Sequence, residues 1–253
     1  MIKFFRKIRH RLLTENKFSK YLVYAIGEII LVVIGILIAL QINNWNEKHQ
    51  AQNKMVSNFQ NLIEDLESNN LQLLNLIERR KEVSNGAGLL IDNYENQIQV
   101  DENDFVVKLY PVLSERYFEI NRNGIDKVIT SSAFELEQME TIRDLIKSYL
   151  RISNILNTFE IKENSAVENM EMVTAGNGYF RTVWKTFRKN RYKTTDEYNN
   201  PDFDFLKIME NDELLYILFR YEFVTQTASK HYYDLIEKGD EIIKEIEDYR
   251  KTK

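Results

Sequence analysis

Residues 21–42 read YLVYAIGEIILVVIGILIALQI, and this stretch decides how the chain is organised. Its only charged residue is Glu28. An α-helix rises ~1.5 Å per residue, so ~20 residues cross the ~30 Å hydrocarbon core of a bilayer. A secretory signal peptide has a shorter apolar core, about 7–15 residues, and ends in a small-x-small cleavage site. Here the run leaves instead through QINNWNE at residues 41–47. The reading is an uncleaved transmembrane helix over residues 21–43.

The flanks orient it. Residues 1–20 carry seven basic side chains (Lys3, Arg6, Lys7, Arg9, Arg11, Lys17, Lys20) against one acid, Glu15. Only Lys48 and Lys54 follow closely on the other side. Lysine and arginine stay on the cytoplasmic face. Residues 1–20 are therefore expected to form a cytoplasmic head, and residues 44–253 an extracytoplasmic domain. Tyr21, Tyr24 and Trp45 occupy the interfacial positions that amphipathic rings favour.

Within the span, Tyr21, Ala25, Glu28, Val32, Gly35, Ala39 and Ile42 step by four and three, and so share one helical face. Small residues allow close helix approach in lipid, and Gly35-x-x-x-Ala39 is such a pair. A carboxyl group facing lipid is costly, which turns Glu28 toward a partner helix or back toward the basic head. The expected interface residues are Ala25, Glu28, Val32, Gly35 and Ala39, meeting a second copy of the chain or another membrane protein.

Composition fixes the class of the rest. The 253 residues are 43% hydrophobic and 29% charged, with two prolines and eight glycines. That scarcity of turn residues favours long helices. Cysteine is absent, which excludes disulfides, thiolate metal sites and a cysteine nucleophile. The net charge of −5 conceals +6 on residues 1–20 and −11 beyond them. So acidic a body repels phosphates and argues against nucleic acid.

Three proline-free segments carry an apolar rhythm of alternating three and four. The first runs Met55, Phe59, Leu62, Leu66, Asn69, Leu73, Leu76, Arg80, Val83. The second runs Ile142, Leu145, Tyr149, Ile152, Leu156, Phe159, Glu163, Ala166, Met170, Val173. The third runs Leu214, Leu218, Tyr221, Thr225, Ala228, Tyr232, Leu235, Gly239, Ile242, Ile246, Tyr249. Steps averaging 3.5 mark the seams of nearly parallel packed helices. The fold expected is all-α: one transmembrane helix continuing into an elongated bundle of three long helices. Short helical insertions are expected at about 87–98 and within 101–134, with Asp101 capping one helix and Asn123-Gly124 opening another. Asn85-Gly86 and Gly88 are expected to end the first long helix, and residues 179–210 to be irregular. Alternation of direction would bring the second long helix (about 135–174) back toward the membrane and carry the third away from it.

On that geometry the loop after the second helix would lie near the bilayer. It holds Arg181, Lys185, Arg188, Lys189, Arg191 and Lys193, interleaved with Trp184, Phe187 and Tyr192. Basic residues among aromatics suit anionic headgroups or another polyanion. A solvated basic loop whose aromatics close the bundle's end fits equally.

No catalytic constellation emerges. His10, His49 and His231 lack metal-ligand spacing, so neither a metal nor a cofactor is expected. Gly176-Asn177-Gly178 follows a helix rather than a strand, and Ser131-Ser132 lacks a base at recognisable spacing. The polar residues within the seams (Asn69, Arg80, Glu163, Thr225) fit helix register or a ligand cavity.

The opening MIKFFRKIRHRLLTENKFSKYLVYAIGEIILVVIGILIALQINNWNE (residues 1–47), and more weakly GIDKVITSSAFELEQMETIRDLIKSYL (124–150), resembles a domain-of-unknown-function family of small single-pass bacterial membrane proteins. The resemblance implies an inner-membrane location and supplies no activity. The function expected is a non-enzymatic scaffold or interaction protein with its bundle in the periplasm. The alternative is a periplasmic ligand-sensing bundle that signals through a membrane partner.

Overall fold

The computed structural model describes residues 18–176, 184, 185, 188, 192 and 203–251, and all regular structure among them is helical. Helix α1 covers Phe18–Glu95. Helix α2, Glu102–Leu109, runs into a 3-10 turn at Tyr110–Leu113. After α3, Asn123–Ile129, come 3-10 turns at Ser132–Glu135 and Glu137–Met139. Then follow α4, Glu140–Gly176, the short α5, Phe205–Met209, and α6, Asp212–Lys251. The chain divides into two compact units, Met1–Val56 and Ser57–Lys253.

The first unit contains the apolar run. Among the described residues, α1 is the one helix long and apolar enough to cross a membrane, and none of its most apolar window is buried. Leu31 and Val23 are each 71% exposed, and Ile29 63%. A contiguous apolar surface of this kind marks contact with lipid or another protein.

The second unit contains the core. Helix α1 was expected to stop at Asn85-Gly86 and Gly88, with a separate helix after it; instead it continues to Glu95. A helical glycine costs ~1 kcal/mol against alanine. Continuing the helix buries Leu90 and Ile91 beside Phe105, Leu109 and Leu218, each worth ~1.5–3 kcal/mol. Packing therefore outweighs the two glycines. The stop lies at Gln97, whose φ of 57° is left-handed. Around it the Ile98 N–H donates to Asn93 O at 2.8 Å and the Gln97 N–H to Tyr94 O at 3.0 Å. This is a Schellman cap with glutamine where glycine is usual. Asp101 caps α2 as expected, accepting from the Asp104 N–H at 3.0 Å.

The third apolar seam is buried from Leu214 to Ile246, and the first places Phe59, Leu62, Leu66 and Leu73 at 0% exposure. The second is rotated. The residues α4 buries are Ile142, Ile146, Tyr149, Ser153, Leu156, Glu160 and Asn164, while Leu145, Ile152, Phe159, Glu163, Ala166 and Met170 are only half-buried.

Helix directions also differ from the simple alternation. Phe59 meets Tyr249, Asn70 donates to Asp240 at 2.8 Å, and Arg80 donates to Tyr232 at 2.9 Å, so α6 runs antiparallel to α1. Asn69 reaches Tyr149 at 3.1 Å, and eleven residues further along α4, Glu160 is joined to Arg80 through Tyr232. Helix α4 is therefore parallel to α1. The return is made by residues 115–122, which lie outside any helix; at ~3.3 Å per residue an open stretch of this length spans up to about 26 Å.

Candidate functional site

Two groups of residues stand out, one in each unit. In the first unit, Ala25 and Glu28 are half-exposed, while Val32, Gly35 and Ala39 are exposed, so the expected interface face is open along its length. A side chain added at Gly35 or Gly27 would meet nothing within 4 Å. At the exit of the apolar run Trp45 stacks on His49, ring centres 5.7 Å apart, and Asn43 donates to Glu47 at 2.8 Å. The side chains of Tyr21 and Tyr24 lie outside the described residues.

In the second unit the open segment is held by side chains of the flanking helices. A backbone outside any helix exposes N–H and C=O groups that must find partners once buried. Asn164 takes both groups of Arg116: the Arg116 N–H donates to Oδ1 at 3.1 Å, and Nδ2 donates to Arg116 O at 3.0 Å. The Phe118 N–H donates to Glu160 Oε2 at 2.9 Å, and the Glu119 N–H to Gln72 Oε1 at 2.8 Å. Asn69 repeats the double clamp on Asn121, at 2.8 and 2.9 Å. The Gly124 N–H donates to Asp65, and Asn58 donates to Lys127 O at 3.0 Å. Asn58, Asp65, Asn69 and Gln72 step by seven, four and three along α1, so one face of that helix supplies four of the six clamps, two on the open segment and two on α3. The side chains take the role that a neighbouring β-strand plays in a sheet.

A charged relay adjoins this seam. Arg80 Nε donates to the Tyr232 hydroxyl at 2.9 Å, which donates to Glu160 Oε1 at 2.5 Å. Arg80 and Glu160 are 3% and 1% exposed, so neither is solvated and each depends on its partners. Burial raises the Glu160 pKa, opposed by the Phe118 N–H, the Tyr232 hydroxyl and the Arg80 charge. Burial likewise raises Tyr232, and pushes Tyr149 up to about 12 against the hydrogen bond from Asn69. These phenols stay protonated throughout the physiological range and act as fixed hydrogen-bonding groups.

Of the basic segment, Lys185 is half-buried, while Arg188 and Trp184 are exposed. Arg181, Phe187, Lys189, Arg191 and Lys193 lie outside the described residues. The direction of α4 removes the geometrical reason for placing this loop near the start of the bundle, because Gly176 ends a helix parallel to α1. His231 packs on Phe159, ring centres 5.7 Å apart. Among the described residues no group of three or more His, Cys, Asp or Glu is arranged to hold a metal.

A family model described as a family of unknown function, DUF6090, matches residues 28–160, just over half of the chain. The chain belongs to this family. The matched span begins at Glu28, takes in the clamped segment and closes at Glu160. No curated protein and no solved structure matches the chain.

Sequence reasoning marked Asn69 and Arg80 as polar members of a seam but missed Asn58, Asp65, Gln72, Glu160 and Asn164. Their spacing is legible only once an open segment is known to lie against them.

Proposed function

We propose that the chain is a non-enzymatic, membrane-anchored helical scaffold or interaction protein, held by one span in a bacterial inner membrane with its bundle on the periplasmic side. The observation that carries the reading is the apolar run of α1, unburied over its whole most apolar window. The orientation rests on the basic head, seven lysines and arginines before the span against two shortly after it. Bilayer attachment is tested by carbonate extraction of membranes from cells making the full chain; release into the supernatant refutes it. Orientation is read by C-terminal fusion to alkaline phosphatase and, separately, to a fluorescent protein that matures only in the cytoplasm. Active phosphatase without fluorescence is expected, and the reverse places the bundle in the cytoplasm.

Association is assigned to the face of Ala25, Glu28, Val32, Gly35 and Ala39, with a second copy or another membrane protein as the partner. Leucine at Gly35 and Ala39 together would hold neighbouring backbones apart. Self-association in a membrane dimerisation assay is expected to fall. An unchanged signal excludes the pairing of two copies through this face.

A further inference from the structure

Beside the relay, within the second unit, lies a small, partly open cavity walled by Val112, Val167 and Ile217 and lined by three arginines, Arg80, Arg116 and Arg220. Two of the three have a carboxylate. Arg220 Nη2 lies 2.9 and 2.7 Å from the two oxygens of Glu163, and Arg80 reaches Glu160 through Tyr232. Arg116 has none. Its Nη groups donate to the carbonyls of Ser114 and Pro111, each at 2.9 Å, and its guanidinium lies over the Tyr221 ring at 5.7 Å. Carbonyl dipoles and a ring face do not neutralise a charge. The Arg116 pKa is lowered, first by burial and, among charged neighbours, by the like charges of Arg80 and Arg79. Three guanidiniums against two carboxylates leave one positive charge in excess, on the half-buried Arg116, where partial loss of water raises the cost of an unpaired charge. Tyr221 also lines the cavity and is 6% exposed; its buried hydroxyl lies beside Thr225 and Arg80 without a hydrogen bond of good geometry.

We propose that this cavity is a binding site for one small monovalent anion of the chloride class, held by Arg116 and Arg80 with the Tyr221 hydroxyl as a neutral donor. Charge sets the valence, since a single negative charge balances the cavity. Size sets the class: about 20 Å³ admits a particle on the scale of one water molecule, not a tetrahedral oxyanion. Hydrogen bonds from guanidinium to an anion are charge-assisted and roughly twice as strong as neutral ones, so they compensate for dehydration of the ion.

The test uses the full chain in detergent, with thermal unfolding followed in sodium chloride, sodium bromide, sodium phosphate and sodium gluconate at matched ionic strength. A saturable rise in the midpoint with chloride and bromide over gluconate is expected, with any phosphate effect linear in concentration, as surface exclusion gives. Arg116→Gln is expected to remove the halide increment. Tyr221→Phe separates the two roles of the hydroxyl. If it is an anion ligand, the variant loses about tenfold in halide affinity. If it is merely an unpaired polar group, the variant gains stability equally in every salt. Should Arg116→Gln fail to fold, chloride-35 NMR line broadening on the wild-type chain, relieved by added bromide, gives the same answer. Equal midpoints in chloride and gluconate, a larger saturable effect of phosphate, or an undiminished halide increment in Tyr221→Phe would each overturn the assignment.

Discussion

Gly124 shows how tightly the clamped segment is seated. A Cβ there would lie 2.5 Å from the backbone of Asn61 and Leu62, which cannot yield as a side chain can. Gly124→Ala is expected to cost about 3 kcal/mol or more, beyond ordinary overpacking because the obstacle is a helix backbone. Gly88 is the control: nothing lies within 4 Å of its Cβ position, so Gly88→Ala should gain about 0.5–1 kcal/mol from helix propensity alone. Urea unfolding of the two variants beside wild type measures both, and a milder effect at Gly124 than at Gly88 would contradict the packing. Glu160 gives the pH counterpart. Its folded pKa is raised above the ordinary glutamate value. Its stabilising contribution is thus complete below about pH 4.5 and is lost as pH rises through the folded pKa. Glu160→Gln has no such titration. The stability advantage of wild type over this variant should be greatest in acid and shrink toward neutrality. A gap that widens with pH would show that the carboxylate is preferentially bound as the anion.

For the elements, the clamps make a sharper claim than general packing does. Asn164 both accepts from and donates to Arg116. Asn164→Ala leaves two backbone groups without partners, at about 1–3 kcal/mol for each that stays dry. Asn164→Asp keeps an acceptor but removes the donor, so it should rescue little. Hydrogen exchange at the Arg116 amide reports the loss locally, and protection equal to wild type in Asn164→Ala would count against the clamp. At the end of α1, Gln97→Gly relieves a left-handed glutamine and should stabilise by about 1 kcal/mol, read as a raised urea midpoint. These two features also mark where the sequence was readable. The long helices follow directly from periodicity, and the Asp101 cap from its residue type. Asn85-Gly86 misled because a local stop signal competes with Leu90 and Ile91, whose burial depends on partners up to ~130 residues away in sequence, such as Leu218. The rotation of the α4 seam was hidden for a related reason. Ser153, Glu160 and Asn164 read as solvent-facing polar residues until the segment they clamp is placed beside them.

Over the whole bundle unit, direction was the least legible property, because helices of equal length pack in either sense with the same seams. Residues 115–122 decide it. Read as part of a helical insertion they take up little length, but outside any helix they return the chain, and α4 then runs beside α1 in the same direction. The consequence for the C-terminus is testable in a protein without native cysteine. Cysteines at Gln60 and Arg250 should be joined by a short bis-maleimide within one chain, since Arg250 reaches Gln60 at 3.4 Å. A third helix parallel to the first would set those positions about 60 Å apart, and no intramolecular product would form. The same pairing has a temporal side. Phe59 and Gln60 meet their partners on α6 only after about 190 further residues have been made. At synthesis rates of roughly 5–20 residues per second, that is a wait of roughly 10–40 s. Throughout that interval the apolar seam of α1 has been made but not covered by α6, so the nascent chain would offer a hydrophobic stripe to any chaperone able to engage it.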